Sequence, residues 1–294
     1  MTFFTILEKK TMVKFSTILV ILMLVTLPFG SYGQTLKLMT YNIRLDVASD
    51  GVNAWPFRKD FFASQIQFYE PDIMGVQEVM PNQVLDLEQL LPKYNQVGIG
   101  REGQGKGESS NIFYDKEKFK VINTDTFWLS ETPDIISRGW DAACHRVCTF
   151  ALFQVIETNQ LFWVFNTHLD HVGELARNKG LKLILSKIDQ FNTKNYPVFF
   201  MGDFNLEPDD ESILALHQIM KDASEVSLQK PFGPNGTFNN FEFNKPVDKR
   251  IDYIFVSKNT PLEVKKYAVL TDSKDLKYPS DHFPVYAEVF LGPL

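Results

Sequence analysis

Cysteine is nearly absent: the 294-residue chain holds only Cys144 and Cys148. In an extended strand, residues four apart have Cα atoms about 13 Å from each other, beyond the roughly 7 Å limit for bridging. A disulfide-built fold is therefore excluded unless that segment turns. His145 between the two makes a weak zinc spacing, and two buried thiols are the plainer expectation. A basic surplus is missing as well, since 30 Lys and Arg face 36 Asp and Glu for a formal net charge of −6. Such a chain is a poor general binder of polyanions, and a phosphate-bearing ligand needs local cations, from Arg side chains or a bound metal. A glycine-rich phosphate loop is also lacking, because REGQGKGESS at 101–110 has no GK[ST] ending.

The one long apolar run, FSTILVILMLVTLPF at 15–29, has about 15 residues, against the roughly 20 that a spanning helix needs. It follows Lys9, Lys10 and Lys14, with Met12 as an alternative start, and leads to Pro28, Gly30 and Ser31-Tyr32-Gly33. That is the order of a secretory signal. The expectation is a signal peptide at 1–33, a catalytic domain at 34–294, a secreted or periplasmic location and no stable membrane anchor. No Cys stands directly after the run, which argues against a lipoprotein anchor. Removing three Lys and one Glu with the signal takes the net charge from −6 to −8.

What is present is ordinary globular material, 44% apolar and 22% charged. Apolar β-rich runs alternate with helical patterns: LKLMTYNI, RKDFFASQIQFY, DIMGVQEV, then PNQVLDLEQLL. Alternation of this kind predicts an α/β domain with helices on the outer faces of its sheets. Residues 111–156 read as strands split by the loop SETPDIISRGWDAA, without a helix, which suggests sheet packed on sheet. HRVCTFALFQVI, apolar on both alternating faces, reads as a central, covered strand. After LFWVFNTHL, the positions Leu181, Ile184, Leu185 and Ile188 follow helical spacing, with Gly180 costing that helix about 1 kcal/mol relative to Ala. Then come PVFFMGDFN, a short helix near 211–217, and strands around RIDYIFVS, LEVKKYAVL and HFPVYAEVF. Segments 101–110 and 229–246 have loop chemistry.

Polar residues recur at the C-terminal ends of apolar strands: Asn42 in MTYNIR, Glu78 in GVQE, His168 and Asp170 in NTHLDH, Asp203 and Asn205 in GDFN. Asp252 in RIDYIF and the pair Asp281 and His282 join them. Singly each has a bland explanation as a turn former, cap or core histidine; their number and repeated placement point to a site. Four carboxylates in one cleft raise one another's pKa unless a cation is present. Carboxylate and amide oxygens without thiolates select Mg²⁺ or Mn²⁺, with Ca²⁺ a further option, and two histidines beside them suit metal-assisted hydrolysis of a phosphoester substrate.

The series MTYNIR, QEV, NTHLDH, GDFN, RIDYIF and SDH, in that order over 36–294, resembles the motifs of the endonuclease/exonuclease/phosphatase superfamily. The resemblance implies a four-layer α/β sandwich, two packed sheets flanked by helices, with metal-dependent phosphoester cleavage. It implies Glu78 as the principal metal ligand with Asn42 and Asp281 nearby, Asp203 orienting or deprotonating water, and Asn205 and His168 on the phosphate. It also implies that His282 pairs with Asp252. Arg44 stands where some abasic-site nucleases carry an aspartate. Arg146 is a further candidate phosphate binder, and Trp55 and Trp140 are candidate stacking residues or loop anchors. The substrate stays open between a small molecule and nucleic acid, and a catalytically silent phosphate- or carbohydrate-binding module is the alternative from another class.

Overall fold

The computed structural model describes residues 33–258 and 260–292, so the signal-peptide expectation for 1–33 lies outside the described residues apart from Gly33. The chain opens with β1 (Gln34–Asn42), α1 (Trp55–Tyr69), β2 (Ile73–Gln77) and α2 (Pro81–Leu90). Strands β3 (Tyr94–Val97), β4 (Ile112–Asp115), β5 (Phe119–Trp128), β6 (Val147–Val155) and β7 (Leu161–His168) follow. Next are α3 (Glu174–Phe191), β8 (Val198–Asp203), α4 (Glu211–Ile219), β9 (Met220–Asp222) and α5 (Ala223–Val226). Three strands close the chain: β10 (Asp252–Ser257), β11 (Leu262–Val269) and β12 (Val285–Leu291).

Two six-stranded sheets result, ordered β11-β12-β1-β2-β4-β3 and β5-β6-β7-β8-β10-β9. Both are mixed: β1 with β2 and β7 with β8 are parallel, and the other pairs are antiparallel. The period of two along each strand sorts its side chains between two cores. In β1, Leu36 and Leu38 enter the core between the sheets, while Met39 and Tyr41 pack with Phe62 and Ile66 of α1 and Leu87 of α2. In β8, Phe199 and Met201 face the same central core, and Val198 and Phe200 meet α3 and α4. The layers are therefore helices, sheet, sheet, helices, the four-layer sandwich that the sequence implied.

The helices obey local rules. Asp210 caps α4 by accepting from Ser212 N at 2.8 Å. Asp141, in the loop before β6, accepts from Ala176 N at 2.7 Å and Leu175 N at 3.3 Å and so caps α3 from a distance. Gly180 in α3 has a packing reason: a Cβ there would lie 3.3 Å from Leu129 Cδ1. Between the sheets a buried polar knot interrupts the apolar core. Gln77 Nε2 donates to Thr40 Oγ1 (3.0 Å) and Asn166 Oδ1 (2.7 Å), and Asn166 Nδ2 donates to the carbonyls of Val76 and Asn111.

Some strand expectations need correction. HRVCTFALFQVI is second from the edge rather than central, and Leu152 and Gln154 are half-buried. The final strand starts at Val285, after His282. Cys144 and Cys148 are both free, the first half-buried and the second buried.

Candidate active site

Three strands of the second sheet end or begin in register, with His168 of β7 beside Asp203 of β8 and Asp203 beside Asp252 of β10. From the first sheet, Asn42 ends β1 and Glu78 follows the last residue of β2. Asp281 and His282 precede β12, which runs antiparallel to β1. Asp252, Asp281 and His282 thus mark strand starts, not the C-terminal ends expected. Antiparallel pairing brings those starts to the same edge of the sandwich as the ends of β1 and β8.

Local backbone geometry aims these residues. Gly202 has φ +146°, and a Cβ there would fall 2.0 Å from the Thr167 carbonyl oxygen, so only glycine lets β8 approach β7 just before Asp203. Arg44, Glu78 and Asn205 all hold left-handed φ, at 58°, 62° and 49°. Ordinary side chains sit there at a cost, which concentrates at functional sites. Ser280 Oγ donates to the Asn42 carbonyl at 2.7 Å, and Arg58 Nη1 donates to the Pro279 carbonyl at 3.0 Å, tying the β1 end to the SDH turn.

All eight expected site residues meet at this edge. Asn42 Nδ2 donates to Glu78 Oε1 at 3.0 Å and to Asp203 Oδ2 at 2.9 Å, bridging the two sheets. Its Oδ1 accepts Arg44 N–H at 3.0 Å. Asn42 thereby stands as a hydrogen-bonded spacer between the Glu78 and Asp203 carboxylates. Asp203 Oδ2 also lies 3.4 Å from His168 Nε2 and 3.7 Å from His282 Nε2. His282 Nδ1 meets Asp252 Oδ2 at 2.8 Å, the pairing expected, and Thr237 Oγ1 donates to the same oxygen at 2.6 Å.

Asn205, expected on the phosphate, lines the cavity beside His168. Its Nδ2 donates to the Leu169 carbonyl and to His168 Nε2, both at 3.0 Å, which uses both amide hydrogens. His168 Nε2 thus faces both the Asn205 amide and Asp203 Oδ2, while its Nδ1 is buried without a partner among the described residues.

The charges are strongly perturbed. Burial and the neighbouring Asp252 charge push Asp203 up to about 7, against His282 and the donors Asn42 and Asn205 N–H. Burial opposes the His282 charge, yet the Asp252 and Asp203 carboxylates outweigh it and push His282 up to about 10. His168 is driven well below the usual imidazole range by burial and the Arg146 charge, so it is neutral beside a charged partner. Burial raises Asp281. Among the described residues, Asp203, Asp252 and His282 form a buried group whose ligand atoms lie within 4.8 Å of one another, and Asp252 Oδ1 is buried without a partner.

Glu78, His168, Asp203, Asn205, Asp281 and His282 floor a cavity of about 540 Å³, with Asn42 and Asp252 behind them. Its walls pair cations with carboxylates: Arg101 Nη2 with Glu108 at 2.7 Å, and Arg146 Nε with Asp170 at 3.4 Å. Asp170 does not line the cavity: it is buried behind the wall, where it pairs with Arg146. Burial alone would raise its carboxyl, but N–H donors from Gly173, Ala143 and Val172 and the Arg146 charge hold it well below the usual range. The loop at 229–246 supplies Phe238, Asn240 and Phe241, and Phe238 stands edge-on to the His282 ring at 5.1 Å. Trp55 is buried and donates to Asp86 at 2.8 Å, and Trp140 is not in the cavity lining. The tryptophans are therefore not the stacking surface, and the loop phenylalanines take that position. Arg58, Thr237 and Ser280 escaped the sequence reading. Only Arg58 left a trace there, a charge on the buried face of α1.

Comparison with known proteins agrees with this geometry. The family model described as Endonuclease/Exonuclease/phosphatase family matches residues 39–282. A solved protein of that family from Bacteroides thetaiotaomicron is 37% identical, with TM-score 0.85, over 90% of this chain and 100% of that one. A mannosyl-6-phosphatase of the same organism is 38% identical, with TM-score 0.82, over 86% of this chain and 99% of that one. A probable RNA exonuclease of Saccharomyces cerevisiae is 26% identical over 61% of this chain. The chain spans 39% of that exonuclease's length and 61% of a mimivirus protein's, at 29% identity.

Proposed function

This chain belongs to the endonuclease/exonuclease/phosphatase family, and from that premise we propose that it is a divalent-metal-dependent hydrolase of small phosphate esters, sugar phosphates foremost. The observation that carries the reading is the Asn42 amide, which holds Glu78 of one sheet and Asp203 of the other on the floor of one cavity, next to two imidazoles.

The donor set fits a hard divalent ion such as Mg²⁺ or Mn²⁺. Glu78, Asp203, Asp252 and Asp281 outnumber the cations Arg44 and His282 that touch them, and their donor atoms are oxygens. Glu78 and Asp281 would hold the ion, which supplies charge stabilisation for the phosphoryl oxygens and the leaving group. The chain's own residues do the rest. Asp203, with its pKa near neutrality, orients an attacking water and accepts its proton. Both its oxygens are pinned, Oδ1 by Asn205 N–H at 2.9 Å and Oδ2 by Asn42. His282 stays an imidazolium because Asp252 faces its Nδ1, leaving Nε2–H for a non-bridging phosphate oxygen. His168, neutral and fixed by Asn205, adjusts the water or phosphate beside Asp203.

The choice of a sugar phosphate is supported by three features. Cavities of about 300–1,000 Å³ suit small molecules. The walls offer the Arg101–Glu108 pair and the Arg146 guanidinium to hydroxyl groups, with Phe238 and Phe241 for a ring face. The 38%-identical relative matched over nearly its full length is a mannosyl-6-phosphatase. The signal-like residues 1–33 add a periplasmic or extracellular location to the proposal.

Purified protein assayed on hexose 6-phosphates, a phosphodiester chromogen, single-stranded RNA and duplex DNA, with Mg²⁺ or with EDTA, decides the matter. Mg²⁺-dependent phosphate release from a hexose phosphate is expected. Faster cleavage of RNA or DNA would make the chain a nuclease, and turnover unaffected by EDTA would end the metal reading. Metal-dependent ligand binding without product would favour a silent binding module.

A further inference from the structure

We infer that Arg44, clamped by Asp50, is a built-in cation that shares the Glu78 and Asp281 carboxylates with the divalent ion and sets how tightly that ion is held. The inference rests on the metal-site reading above and concerns a positioning residue. Arg44 Nε and Nη2 donate to Asp50 Oδ2 and Oδ1, each at 2.9 Å, a planar two-bond fork. The same guanidinium stands 3.9 Å from Glu78 Oε2 and 3.8 Å from Asp281 Oδ2. At those separations it acts on both carboxylates by charge without donating a full hydrogen bond to either. Among the described residues no other Lys or Arg comes within 4.0 Å of Glu78 or Asp281.

The placement is enforced. Arg44 holds φ 58°, its N–H donates to Asn42 Oδ1, and its carbonyl accepts from Arg58 Nη2 at 2.6 Å and Gln83 Nε2 at 2.9 Å. A long side chain in the left-handed region, locked by three bonds, has its direction fixed before any ligand arrives. Asp50, Glu78 and Asp281 are each nine-tenths buried or nearly so, and Arg44 is only partly exposed, so solvent screens these charges weakly.

A fixed cation beside two ligand carboxylates lowers the negative potential felt by a divalent ion, and Asp50 offsets that effect. The two partners therefore pull metal affinity in opposite directions. Arg44→Met leaves three carboxylates facing the ion and tightens binding. Asp50→Asn leaves the guanidinium uncompensated and free to close on Glu78 and Asp281, which weakens binding. General damage to the site would weaken both.

Calorimetric titration of MgCl₂ into EDTA-stripped, dialysed protein tests this. The expected result is a Kd lower by about tenfold in Arg44→Met, higher by about tenfold in Asp50→Asn, and within about threefold of wild type in the double variant. Arg44→Gln, which also removes the charge, should tighten binding in the same direction and gives an independent reading if Arg44→Met does not fold. Unchanged or weaker binding in Arg44→Met, or tighter binding in Asp50→Asn, overturns the proposal while leaving the metal site standing. Wild-type protein that binds no Mg²⁺ overturns the metal reading and this inference with it.

Discussion

Asn42 and Asp203, 161 positions apart in the chain, meet at 2.9 Å across the seam between the two sheets. The same amide nitrogen reaches Glu78 at 3.0 Å, so one side chain sets the spacing of the carboxylate proposed to bind the ion and the one proposed to orient water. Hydrogen bonds to charged groups contribute about 1.5–3 kcal/mol each. Asn42→Ala is therefore expected to lower kcat/KM about 10²-fold or more with little change in far-UV dichroism. A loss under threefold would show that the spacing does not matter.

Glu78→Gln removes the charge proposed to hold the ion but keeps the shape, including an oxygen for Asn42 Nδ2. A ligand that binds only the folded state at a hundredfold excess over Kd stabilises it by about 2.7 kcal/mol, which raises the melting temperature by about 5–10 °C in a chain of this size. Wild-type protein should show that rise with Mg²⁺, and Glu78→Gln should not, while both melt together in EDTA. A Mg²⁺ shift of wild-type size in the variant would remove Glu78 from the metal site.

Asp203 carries a stability cost that its chemistry requires. Its folded pKa, pushed up to about 7 by burial and Asp252, lies above the ordinary value of about 3.9. The resulting penalty begins as pH rises past about 4 and is complete above about 7. Asp203→Asn should then melt higher than wild type at pH 8 in EDTA, by an amount on the order of a few kcal/mol, and show no gain at pH 4. Its turnover should fall at least about 10³-fold. Equal melting temperatures at pH 8 would mean that Asp203 is not strained by its neighbours.

His282 behaves with the opposite sign. Its folded pKa, raised to about 10 mainly by Asp252 and Asp203, exceeds the unfolded value of about 6.5. The stability it contributes in the metal-free protein is whole below about pH 6.5 and is lost as pH climbs through 10. His282→Gln should destabilise most near pH 6, with the gap to wild type closing by about pH 10.5. Asp252→Asn should move the alkaline limb of kcat/KM down towards neutrality, because the imidazolium loses its nearest carboxylate. A limb that stays in place would separate His282 from the reaction.

The sandwich was legible because its strands are covered on both faces and so appear as apolar runs, as in LKLMTYNI, where alternate residues feed two cores. Strands β3 and β9 were not, since four and three residues of mixed character gain their shape only by pairing with β4 and β10. Asn42, Glu78 and Asp203 stood out because each interrupts an apolar run at a strand end. Thr237, Ser280 and Arg58 act on partners brought close by folding: Ser280 Oγ meets a carbonyl 238 positions away, and Arg58 one 221 away. No local pattern encodes such bonds.

Gly202 links the fold to the chemistry at a single backbone position. Its φ of +146° is open to glycine and strained for any other residue, and a Cβ would stand 2.0 Å from the Thr167 carbonyl oxygen. Relief requires β8 to move away from β7, which breaks the register placing His168 beside Asp203. Gly202→Ala should cost about 3 kcal/mol or more and lower the melting temperature by about 6–12 °C. Whatever folded fraction remains should turn over at least about tenfold more slowly, because displacing reacting groups by about 1 Å costs up to 10²-fold. Gly51 is the control: its φ is also positive, at 55°, but a Cβ there meets nothing within 4 Å. Gly51→Ala should also lose stability, about 1–3 kcal/mol, because φ 55° with ψ −115° is strained for any residue but glycine, yet keep full activity. If the two variants lose activity alike, close approach of β8 to β7 is not what fixes the Asp203 position.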